Sequence, residues 1–314
     1  MRQDKLVSVI IPFYNTDIRF MQEAVDSVIR QTYEHWELLL VDDGSDLEST
    51  ACAKHYAEQH PGKIQYLEHP GHQNLGISPT CQLGITRAKG TYIALLDSDD
   101  VWLPQKLAQQ VAIMDAQPEV GMLYGRAKYW HSWTGLEEDL DRDYVPALGL
   151  EAGSLMQPPR FTTLILEGKI MVPCPCSIMV RADTARIAGG FDSLANMYSD
   201  QRFYAKVGLI AGVMAANDCW DLYRQHPASI CATEKNNEQE WRSAFLLWAR
   251  DHLQDSGTNN ADLLQALRRQ LWLHRQPSMP FPRATRQTLR WLKKWCLNLE
   301  KALFPASVRR WFWT

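Results

Sequence analysis

Three acidic clusters are the groups in this sequence best placed to do chemistry. Asp97 and Asp99 stand one residue apart in Leu-Asp-Ser-Asp-Asp, Asp42 and Asp43 adjoin in Val-Asp-Asp-Gly-Ser, and Asp200 follows Ser199. Carboxylates as close as Asp97 and Asp99 repel unless a positive charge lies between or beside them. A divalent cation holding a diphosphate supplies that charge, and hard oxygen ligands suit Mg²⁺ or Mn²⁺. The plainer reading of an isolated Asp-x-Asp is a solvated turn with Asp100 capping the next helix. Asp42-Asp43-Gly44-Ser45 is likewise a turn signature, although an Asp at a strand end can also accept hydrogen bonds from a base or ribose. Asp200 reads as a proton acceptor or a helix cap, and His226 as a metal ligand or a satisfied core histidine. Cys174-Pro175-Cys176 has a shorter gap than the usual metal or redox pair and no matching second pair, so it reads as ordinary buried thiols. Neither Gly-x-Gly-x-x-Gly nor a Gly-Lys-Ser/Thr loop is present, which argues against a Rossmann or P-loop site.

The elements around these acids decide between the readings. Leu6–Ile11 is an apolar, β-branched run ended by Pro12, and it reads as a buried strand. Trp36–Val41, Lys63–Leu67 and Thr91–Leu96 read as further strands. Helical spacing is found from Phe20 to Ile29, Leu47 to Gln59, Gly76 to Ala88 and Leu103 to Ala116. Strands alternating with helices predict an α/β fold with a mostly parallel central sheet and helices on both faces. Ligands collect at the carboxyl ends of such strands. Tyr14-Asn15, Asp42-Asp43 and Asp97–Asp100 all fall at such ends. Beyond Gly125 the pattern loosens, with a strand expected over Ser177–Val180, a helix over Asp200–Val207 and a strand over Cys219–Tyr223.

Composition narrows the class. A net charge of −3 over 314 residues argues against a nucleic-acid binder. Charge is unevenly spread: from Arg283 to Thr314 eight Lys/Arg face only Glu300, so this tail is +7 and the rest −10. Seven cysteines, an odd number, and an opening with no signal peptide fit a reducing compartment. The longest apolar run, Leu209–Ala216, is far too short for a bilayer core of roughly 30 Å, so no integral membrane segment is expected.

Taken in order, the motifs resemble family 2 glycosyltransferases with a GT-A fold. Ser8-Val-Ile-Ile-Pro-Phe-Tyr-Asn15, Gln31-Thr-Tyr33 and Glu37-Leu-Leu-Leu-Val-Asp-Asp-Gly-Ser45 look like that family's opening. Asn74-x-Gly76, Gly90-Thr-Tyr-Ile-Ala-Leu-Leu-Asp-Ser-Asp-Asp100 and Trp102-Leu-Pro-Gln-Lys-Leu107 continue it. Gly189-Gly-Phe-Asp192, Ser199-Asp200 and Tyr223-Arg-Gln-His226 resemble its acceptor-side motifs. The match runs over roughly residues 6–230. It implies that Pro12, Tyr14 and Asp43 flank a nucleotide base, with Asn15 and Ser98 completing the donor-binding set. Asp97 would face the ribose or diphosphate, Asp99 would bind the metal (Mn²⁺ or Mg²⁺) with His226 as second ligand, and Asp200 would be the general base. The reaction implied is single displacement with inversion, from a nucleotide-sugar donor, a UDP-sugar foremost, to a glycan or lipid-linked acceptor, in polysaccharide or glycoconjugate synthesis. Two departures stand out. Cys81 and Gln82 occupy positions where many relatives carry Arg and Asn, and Ser199 replaces the acid that commonly precedes the base.

The expected organisation is a GT-A catalytic domain over 1–235, with a nucleotide-sugar half at 1–125 and an acceptor half at 126–235. A helical extension with a basic, Trp-rich tail follows over 236–314. Leu289, Leu292, Trp295, Cys296, Leu299 and Leu303 would lie on one helical face among basic residues, the composition of an interfacial membrane binder or of a helix packed on its own domain. A cytoplasmic protein, peripheral at the inner membrane face, is the expectation. Two rivals are a sugar nucleotidyltransferase and an inactive nucleotide-sugar binding module. The first favours a Gly-rich basic loop after the opening strand, where Pro12-Phe-Tyr-Asn15 stands. The second would be expected to have lost Asp99 or Asp200.

Overall fold

The computed structural model describes residues 5–192 and 198–275. Along the chain run β1 (Val7–Phe13), α1 (Ile18–Ile29), β2 (Trp36–Asp42), α2 (Leu47–Gln59), β3 (Ile64–Glu68), α3 (Ile77–Arg87) and β4 (Tyr92–Leu95). Then come β5 (Val101–Trp102), α4 (Lys106–Ala116), β6 (Val120–Trp130), α5 (Glu137–Leu140), β7 (Leu155–Met156), α6 (Arg160–Glu167), β8 (Ile178–Arg181) and α7 (Ala182–Ile187). The described part closes with α8 (Ser199–Ile210), β9 (Gly212–Arg224), α9 (Ile230–Thr233), α10 (Glu238–Asp255) and α11 (Ala261–Arg275).

The nine strands of the described residues join one mixed sheet in the order β3-β2-β1-β4-β8-β6-β9-β5, with β7 also paired to β9. The first four are parallel: Ile10 lies opposite Leu39 on one side and Leu95 on the other. β8 enters antiparallel between β4 and β6, and β6 runs parallel to β9. The period-2 alternation of β1 feeds two cores. Val7, Val9, Ile11 and Phe13 pack with Met21, Val25 and Val28 of α1, whereas Ile10 packs with Ile85 of α3. Each such fully buried aliphatic side chain contributes about 1.5–3 kcal/mol.

Local signals start the first two helices. Asp17 caps α1 by accepting from Arg19 N at 2.9 Å, and Asp46 caps α2 by accepting from Ser49 N at 2.8 Å. Helix α4 begins at Lys106, three residues later than its apolar pattern suggests, because Pro104 disfavours the helical conformation at Leu103, whose N–H instead donates to Trp220 O at 2.8 Å. Sequence pattern misses β6 as a strand, although at eleven residues it is among the longest, because its apolar opening carries Gly121 and Gly125 and its second half is polar and aromatic, from Arg126 to Trp130. Phe245, Leu246, Leu253, Leu263 and Leu267 of α10 and α11 join the same core as Ile10 and Ile85. The basic tail from Arg283 lies outside the described residues.

Candidate functional site

Backbone-directed hydrogen bonds organise the loops that follow β1 and β2. Asn15 sits at φ +48, where Asn is tolerated better than most residues. Its Oδ1 accepts from Asp46 N at 2.7 Å, and its own N donates to Ser45 Oγ at 3.2 Å. Tyr14 beside it is 53% exposed, with a ring free to meet a ligand. Asp42 is buried inside, accepting from Ser45 N, Thr50 Oγ1 and Tyr66 OH. Asp43 accepts from the backbone N–H of Leu75 at 2.7 Å and of Gly76 at 3.0–3.1 Å. Much of its hydrogen-bonding capacity therefore holds the Leu75-Gly76 segment against β2. Gly44 permits this approach: a Cβ there would lie 2.7 Å from Asn74 N, and its φ is +76.

The second group lies after β4. Ser98 Oγ is 2.6 Å from Thr16 Oγ1, tying this loop to the one after β1. Asp99 Oδ2 is 2.9 Å from Nε2 of His226, although the two residues are 127 positions apart. Arg224 sets this pairing. Its Nε donates to Asp99 O at 2.6 Å, its backbone N donates to Asp100 Oδ1 at 2.7 Å, and its guanidinium pairs with Glu23. Phe20, Trp130 and Trp133 surround that guanidinium, with ring centroids 4.2, 4.6 and 5.5 Å from Cζ. Asp100 does not cap α4. It is wholly buried, taking the Arg224 N–H on one oxygen and the Cys176 thiol, at 2.9 Å, on the other.

Burial, reinforced by the Asp99 charge and less by that of Asp200, raises Asp97 to about 7. Asp100 is pushed well above the usual carboxylate range by burial first and then by Asp99 and Asp97. Asp200, in the first turn of α8, is raised to about 6 by burial, opposed by backbone N–H groups. Tyr198 at φ +59, not Asp200, is the cap residue of α8. Burial, and then the charges of Asp97, Asp200 and Asp43, push the Cys81 thiol well above its ordinary value. Gln82, its neighbour, instead accepts from Phe191 N at 2.9 Å and so fastens the Gly-Gly-Phe loop after α7.

The structure thus brings Asp99 and His226 into contact and Asp97 within electrostatic reach of Asp200, while Asn15 and Ser98 tie neighbouring loops together. Pro12 lies within β1, facing Val41 of β2. Arg224, Asp100 and Cys176 escape a sequence reading that singles out carboxylates by spacing. The Tyr-Arg-Gln-His motif carried the signal for Arg224, and Cys-Pro-Cys the signal for Cys176.

A glycosyl transferase family 2 model matches residues 8–185, which include both strand-end acid clusters. The chain belongs to that family. GlyG, a glycosyltransferase of Streptococcus pneumoniae, is 28% identical over 256 residues, which are 79% of this chain and 77% of GlyG. The y4gI protein of Sinorhizobium fredii is 37% identical over 126 residues, 40% of this chain but 13% of that one. EpsE of Bacillus subtilis, a putative glycosyltransferase by name, is 35% identical over 115 residues, 37% of this chain and 40% of EpsE. The match therefore spans well under half of two of these three relatives. Among solved structures, residues 1–349 of Staphylococcus aureus TarS align with a TM-score of 0.62 at 17% identity, covering 93% of this chain and 78% of that one. Mannosyltransferase PcManGT of Pyrobaculum calidifontis, in complex with GDP-Man and Mn²⁺, aligns with a TM-score of 0.56 at 17% identity, covering 99% and 84%. This family 2 glycosyl transferase has the GT-A architecture.

Proposed function

We propose that the chain transfers a sugar from a nucleoside-diphosphate sugar, a UDP-sugar foremost, to a glycan or lipid-linked acceptor hydroxyl, inverting the anomeric carbon by single displacement, in polysaccharide or glycoconjugate synthesis. The observation that carries this reading is the Asp99–His226 pair, 2.9 Å apart at the carboxyl end of the sheet, with a second protonatable acid, Asp200, within electrostatic reach of Asp97. One carboxylate oxygen and one imidazole nitrogen are a donor set that fits Mn²⁺ or Mg²⁺ completed by phosphate oxygens. When bound, such an ion neutralises charge on the departing diphosphate. Tyr14 offers its exposed ring to the base. Asp43 and Asn15 shape the floor beside it, and Ser98 holds the loop that presents Asp97 toward the ribose or diphosphate. Asp200, raised to about 6, is ionised at neutral pH and basic enough to take the acceptor proton. No covalent intermediate is required.

The donor assignment draws support from TarS, solved with UDP and with UDP-GlcNAc, and from PcManGT with GDP-Man and Mn²⁺. Against the nucleotidyltransferase reading stands the Pro12-Phe-Tyr-Asn15 sequence at the end of β1, where a Gly-rich basic loop would be expected; against an inactive module, the presence of both Asp99 and Asp200. Among the described residues no helix is long and apolar enough to cross a membrane. The tail's basic and aromatic composition supports peripheral contact with anionic lipid from the cytoplasmic side. Near such a surface each basic residue contributes roughly 1 kcal/mol, so deleting Arg283–Thr314 should release the protein from anionic vesicles. No vesicle binding by the full chain at low salt would remove that part of the proposal.

The central test is release of nucleoside diphosphate from a panel of nucleotide sugars with Mn²⁺ or Mg²⁺. One donor class should be turned over or bound, and excess chelator should stop it. Full activity in chelator would overturn the metal assignment, and binding of no nucleotide sugar would overturn the function.

A further inference from the structure

We propose that Cys174, Cys176, Asp97 and Asp100 form a second cation site, one that takes a thiophilic divalent ion of the Zn²⁺ or Cd²⁺ class. The four side chains offer two sulfurs and two carboxylate oxygens, and these atoms all lie within 4.8 Å of one another. The Cys-Pro-Cys gap is too short for the usual metal pair, but the 3₁₀ turn Pro175–Ser177 solves this by bringing the two sulfurs within 4.8 Å of each other. Cys176 Sγ lies 3.5 Å from Asp97 Oδ2 and 2.9 Å from Asp100 Oδ2. With Zn–S near 2.3 Å and Zn–O near 2.0 Å, a tetrahedral site separates sulfur from oxygen by about 3.5 Å. The Asp97 distance already has that value. The Asp100 distance is that of a protonated thiol donating to a carboxylate, and it opens once the proton leaves.

An independent observation points into the same pocket. Asp221 of β9 is wholly buried, and neither of its carboxylate oxygens has a hydrogen-bond partner. Its charge acts on Cys174 and on Asp97. A buried carboxyl without a partner is costly, and a cation beside it removes the cost. Lys106, whose charge acts on Asp221, is buried too, but it makes no hydrogen bond to it: its Nζ donates to Gln110 Oε1 at 2.6 Å and Ile178 O at 3.4 Å. Asp221 is thereby left as a further ligand or an outer partner for the ion. Cys174 and Asp97 are the half-buried members, so the pocket opens on their side, whereas Cys176 and Asp100 form its closed end. Thiolate donors separate this site in kind from the oxygen-and-nitrogen pair of Asp99 and His226, which suits a harder ion.

Binding replaces each thiol proton with a metal–sulfur bond and releases the protons to solvent. The experiment is a Cd²⁺ titration of the reduced, metal-free full chain, read by thiolate-to-cadmium charge-transfer absorption in the ultraviolet. One ion per chain should bind with that absorption. Cys174→Ser, the milder change because Cys174 is half-buried, and Cys176→Ser should each remove most of the band and weaken binding at least about tenfold. Far-ultraviolet circular dichroism should show both variants folded. Asp99→Ala should retain the band, so this site stands or falls apart from the function proposed above. Absence of the band, or a band that survives both serine variants, would overturn the proposal.

Discussion

The half of the molecule built from β1 to β4 and the half built from β5 to β9 reach the same site by different routes. In the first, β1, β2 and β3 are each followed directly by a helix, and the acids lie where β2 and β4 end. In the second, partners come from far along the chain: β8 pairs with β4, and β9 reaches back to the two-residue β5 directly after the acid cluster. The contacts that fix Asp99 and Asp100 span 127 and 124 residues. The first half thus supplies acids by local geometry, and the second decides what those acids touch. Asp99 faces a histidine and Asp100 a thiol and a backbone N–H, although the two are neighbours in sequence.

The sharpest way to separate the halves is at the Asp99–His226 contact. Asp99→Ala should abolish transfer and metal-dependent donor binding, since an ion of this kind stabilises the transition state by several kcal/mol. Melting temperature should barely move, because the side chain is part-exposed and takes no part in either core. A variant that still binds donor in a metal-dependent way would assign the ion to other ligands.

Next in size comes Asp200→Asn. It keeps the shape but cannot accept a proton, so kcat should fall about 10²–10⁴-fold while donor affinity stays within a few-fold. In the wild type the carboxyl must be ionised, so kcat/KM should climb with pH and level off above the value of about 6 to which burial raises it. Loss of this limb in the variant is the signature to look for. Near wild-type turnover at saturating substrates would make Asp200 a structural residue of α8.

Two glycine substitutions test how far each half tolerates strain. A Cβ at Gly84 of α3 would lie 2.5 Å from Ile10 Cγ2, and its three nearest atoms all belong to that one side chain rather than to backbone. At Gly125 of β6 it would meet Trp220 Cε3 at 2.5 Å and the Asp218 backbone oxygen at 2.7 Å. Overpacking typically costs about 1–3 kcal/mol. Gly125→Ala should lie at the upper end and also lower activity, because β9 carries Arg224. If chemical denaturation finds Gly84→Ala the more damaging, the half built from β5 to β9 is the more forgiving one.

The smallest effect should be a change of slope. Burial raises the Asp221 carboxyl from 3.8 to about 7, opposed by Lys106. Between those values the folded chain keeps a proton that the unfolded chain has lost. This group's contribution to stability therefore falls as pH rises from about 4 to about 7 and is level above. Asp221→Asn should flatten that decline in urea denaturation curves. An unchanged slope would mean that the carboxyl is compensated in the folded state.

What could be read from the chain alone follows from range. Strands β1 and β2, the helix Leu47–Gln59 and the acids at the strand ends were legible because short-period apolar patterns and turn residues are local signals. The motifs from Ser8 to His226 placed the chain in its family for the same reason. Strand β6 was not legible, since burial on both faces is confined to its first half, Val120–Gly125, and the polar second half breaks the pattern. The sequence determined the α/β architecture and which residue types stand at the carboxyl ends of the first strands, because propensity and periodicity act over a few residues. Only the tertiary structure decided that Arg224 locks Asp99 and Asp100, that Gln82 fastens Gly190-Phe191, and that Cys174 and Cys176 meet two carboxylates. Those contacts depend on strand order in the sheet, which loop closure over 76 to 125 residues sets and no local pattern encodes.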